Sequence, residues 1–384
     1  MSQSIVTEDI KQIAKNLGRD AERFSGKTIL ISGGGGFLGK YFVGLFGYLN
    51  DNILTKPCRV ISVDNFITGA RHSHFDYTGR KDVLDVWADI THPLPIREDI
   101  HFIIHAAGLA SPVYYKKYPL ETIESAVFGV KNLLELGRKN KLEGFLFFSS
   151  SEIYGDPHPE AVPTPETYHG YVSSIGPRAC YDESKRLGET ISVIYHEQYG
   201  IPTKIVRPFN VFGPGMGHAD RRVLPMFAYK ILNGEPLPVH GDGHQTRTFC
   251  YVTDAISGFV QVLLNGEPGH SYNIGNHNNE ISMKDLADLF ISLADEHSNN
   301  ASYELVSYPA TYPGGEPQRR CPDLTKAKEH LGYVPKVSLE DGIRRFILWC
   351  KNEEAYKKPA VQKTKSKGGK KIKKSSKKQA SKKK

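Results

Sequence analysis

Three features of the sequence predict an α/β protein: a doubly wound parallel sheet of Rossmann-like type with a smaller C-terminal α/β substrate domain. Short unbroken apolar runs recur along the first half, helical apolar spacing lies between them, and a glycine cluster follows the first run directly. That run, Lys27-Thr28-Ile29-Leu30-Ile31-Ser32, lacks polar alternation, the pattern of a strand covered on both faces. It leads into Gly33-Gly34-Gly35-Gly36-Phe37-Leu38-Gly39 and then an apolar helix over 40–49. Glycine at 33, 36 and 39 permits a tight turn, backbone approach to a pyrophosphate and close helix packing. The helix N-terminus then faces the phosphate charge. Gly33, Gly36, Phe37, Leu38 and Gly39 are therefore the expected dinucleotide loop.

The second run, Arg59-Val60-Ile61-Ser62-Val63, ends at Asp64, followed by Asn65. A carboxylate there accepts hydrogen bonds from ribose hydroxyls and repels a 2′-phosphate, which selects NAD over NADP. Trp87-Ala88-Asp89-Ile90 repeats the pattern of a strand ending in a carboxylate and suits the adenine edge. His101 to Gly108 is a fourth strand with a small-residue loop, in which Ala106 and Ala107 bring backbone to the cofactor. His105 is expected as a packed loop residue, not a catalyst.

Residues 120–139 carry apolar residues at helical spacing, and Phe145 to Phe148 form another buried strand ending in Ser149-Ser150-Ser151-Glu152. Ligands of open parallel sheets bind beyond the carboxyl ends of the strands, so Ser150 and Glu152 are expected at the nicotinamide. Tyr181 and Lys185 follow, four residues apart and on one face if the segment is helical. An ammonium beside a phenol favours the phenolate, which makes Tyr181 a base able to take a proton from a sugar hydroxyl as hydride leaves the same carbon. Tyr-x-x-x-Lys alone is a weak signal; its weight comes from the nicotinamide site in the same chain.

The second half mixes short strands (203–206, 271–274) with helices near 223–233, 253–264 and 282–294. The expected organisation is an N-terminal helical appendage over 1–25 and an NAD-binding domain over 26–210, to which a segment near 240–275 returns. Residues 211–239 and 276–352 would form the substrate domain, and 357–384 a disordered tail.

Of the 384 residues 39% are hydrophobic, enough for a large core. The sequence contains no apolar run of about 18 residues and no secretory pattern over 1–20, so no membrane span is expected. The five cysteines are scattered and lack metal-ligand spacing, which predicts free thiols, no metal and a cytoplasmic protein. From Lys357 to Lys384 there are fourteen lysines and no acidic residue; without them the formal charge falls from +8 to −6. Such a tail builds no core and suits an anionic partner: nucleic acid, a membrane surface or an acidic protein.

These residues together resemble the extended short-chain dehydrogenase/reductase family of nucleotide-sugar enzymes over roughly residues 27 to 350. The general marks are Ser32-Gly33-x-x-Gly36-x-x-Gly39, Asp64, Tyr181-x-x-x-Lys185 and Arg207-Pro208-Phe209-Asn210-Val211-Phe212-Gly213-Pro214. Narrower marks are similar to its UDP-glucuronate decarboxylase branch: Asp64-Asn65-Phe66-Ile67-Thr68-Gly69, Ala110-Ser111-Pro112, Ser151-Glu152-Ile153-Tyr154-Gly155, Gly176-Pro177-Arg178-Ala179-Cys180-Tyr181 and Arg319-Arg320-Cys321-Pro322-Asp323. Serine stands at 150 where that branch has threonine, and Ser173-Ser174 where it has a proline-containing turn.

The resemblance implies NAD as cofactor, UDP-glucuronate as substrate and a homodimer paired through the helices at 120–139 and 182–199. It implies catalytic roles for Ser150, Glu152, Tyr181, Lys185 and Arg320, the last beside the sugar carboxylate. Ser111, Tyr114 or Tyr115, Glu152, Asn210, Arg222, Arg247 and Arg320 would contact substrate, and Tyr181, Lys185 and Pro208 the cofactor. The implied chemistry is oxidation at C4, loss of CO₂ from the β-keto acid and return of the hydride. Three alternatives stay open: a nucleotide-sugar 4,6-dehydratase, a 4-epimerase, and a non-catalytic NAD-responsive binding protein.

Overall fold

A computed structural model describes residues 2–68, 79–294, 301–308 and 317–357. The expected disordered tail, apart from Lys357, lies outside these residues, as does the segment after Thr68. Seven strands form the central sheet: β1 Thr28–Ser32, β2 Arg59–Asp64, β3 Val83–Trp87, β4 Phe102–His105, β5 Gly144–Phe148, β6 Thr203–Pro208 and β7 Ser271–Ile274. Their order is β7-β6-β5-β4-β1-β2-β3, with every neighbouring pair parallel. The chain runs outward from β1 to β3, then returns to β4 on the other side of β1. This reversal opens a crevice beyond the carboxyl ends of β1 and β4, where ligands of such sheets bind.

The apolar runs predict this burial well. Ile29, Leu30, Ile31, Phe102, Ile103, Ile104, Phe145, Leu146 and Phe147 are all fully buried. Alternate side chains enter two cores. Ile29, Ile31, Phe102 and Ile104 join that shared with helices α2 (Phe37–Asn52) and α5 (Val252–Asn265). Leu30, Ile103, Phe145 and Phe147 join that under α3 (Val130–Arg138) and α4 (Ala179–Tyr199).

Two expectations are corrected. The N-terminal segment is helical, but it is no appendage. Helix α1 (Ser2–Leu17) buries Ile5, Val6, Ile10, Ile13, Ala14 and Leu17, a stripe at helical spacing, in the core shared with α2 and α5. Its Asp9 is fully buried and accepts hydrogen bonds from Tyr41 Oη (3.2 Å), Tyr251 Oη (2.9 Å) and Arg345 Nη2 (2.6 Å). Arg345 lies on α6 (Leu339–Lys351), so α1 ties the two ends of the chain together.

The single helix expected over 120–139 is instead Pro119–Glu124 and α3, joined by a π turn at Ser125–Gly129. Here the Ser125 carbonyl meets His105 Nε2 at 3.2 Å, and Ser32 Oγ lies 2.8 Å from Nδ1. The carbonyl fixes the tautomer: Nε2–H donates to it and Nδ1 accepts from the serine. Burial, and then the charge of Lys185, push His105 down to about 3, so it packs as a neutral ring.

Beyond β6 the chain builds helices Val223–Leu232 and Met283–Ala294, close to the expected bounds, and a three-stranded ribbon. In that ribbon Arg319–Arg320 runs parallel to Thr246–Thr248, placing Arg320 beside Arg247. Among the described residues no helix is long and apolar enough to cross a membrane.

Candidate active site

The dinucleotide crevice is shaped by backbone. Gly33 has φ 77°, donates its amide to Val63 O (2.8 Å) and accepts from Gly36 N (3.0 Å). A Cβ on Gly33 would lie 2.7 Å from Ala107 N, and one on Gly39 only 2.0 Å from Gly33 O. The turn is therefore clasped between the first turn of α2, which Phe37 and Leu38 open, and the Ala106–Ala107 loop. Asp64 accepts from Gly35 N (2.9 Å) and Phe66 N (2.7 Å), which fixes its carboxylate beneath the turn while burial raises its pKa.

Asn65 Nδ2 donates to Asp89 Oδ2 (3.1 Å), and Thr91 N to Asp89 Oδ1 (2.9 Å). Partial burial opposes ionisation of Asp89, yet these donors hold its pKa below the ordinary value. Ile90 backs this edge against Gly129. The resulting cleft is lined by Gly33, Asp64, Asp89, Ala107 and Ser125. A glycine cradle, a carboxylate at the end of β2 and a second at the adenine edge fit NAD. Pro208 ends β6 in register with Ile274.

The catalytic cluster is built from side chains of separate stretches. β5 delivers Ser150, whose Oγ accepts from Glu152 N (3.2 Å), capping the turn Ser151–Tyr154, and is hydrogen-bonded to the Tyr181 phenol. Tyr181 is buried on α4, its ring stacked on Tyr115 at 5.5 Å and 21°. Lys185, one turn further, donates to Phe148 O (2.7 Å) and lies over the Tyr181 ring, 5.8 Å from its centroid.

This geometry corrects the expected electrostatics. Burial raises the Tyr181 pKa, helped by Asp182 and opposed by Ser150, Arg222 and Arg178, while Lys185 lies over the ring. Burial also pushes Lys185 down to about 8. The sequence placed both residues correctly on one helix face, but the lysine's bond to a strand carbonyl is a tertiary fact.

Glu152 is held by two guanidinia. Arg178 Nη2 donates to Oε2, and Arg320 donates from Nη1 to Oε1 and from Nη2 to Oε2 (3.1 Å). Arg320 arrives from the ribbon and also reaches Gly155 O (3.4 Å). Arg178 is absent from the expected site, although it sits three residues before Tyr181 and immediately before α4. Nothing in its spacing distinguishes it from a surface cation; the signal lies in a partner 26 positions away.

The remaining expected residues fall at different depths. Arg222 forms a two-pronged pair with Asp220 (2.5 and 2.6 Å), and Ser111 Oγ donates to the Asp220 carbonyl (2.6 Å). Tyr115 is buried behind Tyr181, leaving half-buried Tyr114 as the more accessible of the pair. Asn210 adopts φ 40° and donates to Thr248 O (2.8 Å), while buried Arg247 donates to Thr246 O (2.7 Å). The structure thus brings Ser150, Glu152, Tyr181, Lys185, Arg222 and Arg320 to one cluster, with Asn210 and Arg247 on the ribbon side. A phenol, a hydroxyl and a charged carboxylate–guanidinium pair at the mouth of a dinucleotide crevice can exchange a proton with a sugar hydroxyl and hold an anion.

Residues 29–275 match the NAD dependent epimerase/dehydratase family. UDP-glucuronic acid decarboxylase 5 of Arabidopsis thaliana is 40% identical over 322 residues, covering 83% of this chain and 88% of the relative. UDP-glucuronic acid decarboxylase 1 of Xenopus tropicalis is 38% identical over 327 residues, covering 85% and 73%. The crystal structure of DesIV, a dTDP-glucose 4,6-dehydratase from Streptomyces venezuelae with NAD and TYD bound, superposes with a TM-score of 0.74 at 23% identity. It covers 86% of this chain and 100% of that one, a likeness of fold. The glycine turn, the seven-stranded order and the Tyr181–Lys185 helix are therefore those of a chain that belongs to the NAD dependent epimerase/dehydratase family.

Proposed function

We propose that this protein converts UDP-glucuronate to UDP-xylose by decarboxylation, with NAD recycled within each turnover. The observation that carries the reading is a buried Arg320 guanidinium held at Glu152, whose amide bonds the same Ser150 that meets Tyr181. That arrangement sets an anion-binding group beside a proton acceptor. The 40% identity to a plant decarboxylase over most of both chains supports it.

In this reading Tyr181 reacts as its phenolate, which Ser150, Arg222 and Arg178 favour against burial, and takes the C4 hydroxyl proton. Bound NAD⁺ supplies a hydride acceptor at C4 and later returns the hydride. The resulting β-keto acid carries its carboxylate near Arg320. When the C5–carboxyl bond breaks, its electron pair flows into the C4 carbonyl, and CO₂ leaves. Tyr181 and Ser150 then donate to the enolate oxygen; one such donor is commonly worth about 3 kcal/mol. A solvent proton added at C5 gives the 4-keto pentose, and when hydride returns to C4 Tyr181 gives its proton back to the C4 oxygen, completing the pentose.

Further elements belong to the same proposal. Residues 26–210 with the returning segment hold NAD, and 211–239 with 276–352 hold the sugar nucleotide through Arg222, joined by Asn210 and Arg247 from the border of the NAD-binding domain. Exposed Leu120, Ile123 and Phe128 beside Leu187 and Ile194 of α4 support a homodimer paired through these helices. Five free thiols support a cytoplasmic location. The fourteen-lysine tail would meet an anionic partner.

The test is incubation of the purified protein with UDP-glucuronate and NAD⁺, following CO₂ and a pentose nucleotide by mass spectrometry. Turnover of dTDP-glucose or UDP-galacturonate in its place would overturn the assignment.

A further inference from the structure

Two guanidinia hold Glu152, and they reach it from opposite parts of the fold. Arg320, on the ribbon, is almost wholly enclosed, with 4% of its side chain exposed. Arg178 is anchored differently. It stands at the start of α4, and its Nε lies 3.7 Å from Asp182 Oδ2, beyond hydrogen-bond length, while its Nη2 donates directly to Glu152. Arg178 therefore ties Glu152 to the helix that bears Tyr181.

This matters for an anionic substrate. If Arg320 turns to a sugar carboxylate, it gives up at least part of its pairing with Glu152. A glutamate left alone there would be a half-buried, uncompensated anion facing a second one, a costly arrangement. With Arg178 in place, Glu152 keeps a cation throughout. Loss of CO₂ then removes the sugar's carboxylate, its charge passing to the enolate oxygen until C5 is protonated, and Arg320 can return to Glu152.

Resting on the decarboxylase reading, we infer that Arg178 is a positioning residue that retains Glu152 and thereby frees Arg320 for the substrate's carboxylate. It sets selectivity for a sugar acid over the same nucleotide sugar without the acid, and it exchanges no proton with substrate.

The test measures binding by calorimetry to full-length protein with NAD⁺, in a Tyr181→Phe background that holds the substrate unreacted. Two ligands, UDP-glucuronate and UDP-xylose, differ only in the carboxylate. Adding Arg178→Met is expected to weaken UDP-glucuronate about thirtyfold and UDP-xylose less than about threefold, because only the acid depends on a charge-assisted bond from Arg320. Arg178→Lys, which keeps the charge without the fork, should recover UDP-glucuronate binding to within about tenfold.

Equal weakening of both ligands, or unchanged binding of UDP-glucuronate, overturns the inference. Should Arg178→Met fail to fold, Arg178→Lys alone decides by the same selectivity. Wild-type turnover is followed in parallel: its absence overturns the decarboxylase reading itself, whereas turnover with unselective loss in the variant overturns only the role of Arg178.

Discussion

The two halves of the site are made of different material. The dinucleotide crevice is made of main chain: Gly33, Gly39 and Ala107 approach so closely that a single Cβ would strike backbone. The other side is made of polar side chains drawn from residues 150–152, 178–185 and 320, among which Glu152 is held by Arg178 and Arg320. Backbone cannot retreat, so the first half tolerates no added atom. Side chains can exchange partners, so the second half can respond to a ligand's charge. A rigid cradle for a retained cofactor beside an adaptable clamp for a changing substrate follows from that division.

The comparison is broken most sharply at Tyr181. Tyr181→Phe removes one oxygen and should lower turnover of UDP-glucuronate about 10³-fold, the range of a general base, while NAD binding measured by fluorescence stays unchanged. The opposite outcome is expected at Gly39. Gly39→Ala drives a methyl into Gly33 O and should weaken NAD about a hundredfold with a lowered melting temperature, both read on the same sample. If that variant binds NAD normally, the cradle is not rigid.

Asp9 sharpens the comparison from outside the site. Burial raises its pKa from 3.8 to about 6 in the folded protein, with Arg345 and the tyrosines opposing. The protonated form is thus favoured on folding, a stabilisation complete below about 3.8 and lost as pH rises through about 6. Between pH 5 and 8 the wild type should lose on the order of 1 kcal/mol that Asp9→Asn does not, seen as a shallower pH dependence of the variant's melting temperature. Equal slopes would remove Asp9 from the pH response. The smallest effect is expected from deleting residues 358–384: turnover should stay within about twofold, since both halves of the site lie in the body of the chain.

Much of the cradle was legible because its signals are local. An unbroken apolar run must be buried on both faces, and three glycines at fixed spacing have few other uses beside it. Tyr181 and Lys185 were legible for the same reason, being four positions apart on one helix. What escaped depends on partners distant along the chain. Arg178 takes its role from Glu152, 26 positions away; Arg320, which meets Glu152 across 168, was expected only through the family resemblance. The Lys185 bond to Phe148 and the π turn against His105 likewise have no local signature. The stripe in α1 was visible at helical spacing, but its many polar residues read as a free helix because the surface it covers combines neighbouring α2 with α5 and α6 from far along the chain.

That assembly bears on synthesis. Asp9 and Arg345 are separated by 336 positions, so residues 2–17 emerge long before the guanidinium that pairs with Asp9 exists. Until α5 and α6 follow, α2 alone covers their isoleucines, valine and leucine, and a ribosome-bound chain presents the rest of that greasy stripe to whatever chaperone is nearby. Arrival of α5 and then α6 completes that cover, so a chain interrupted before them keeps part of the stripe open to solvent.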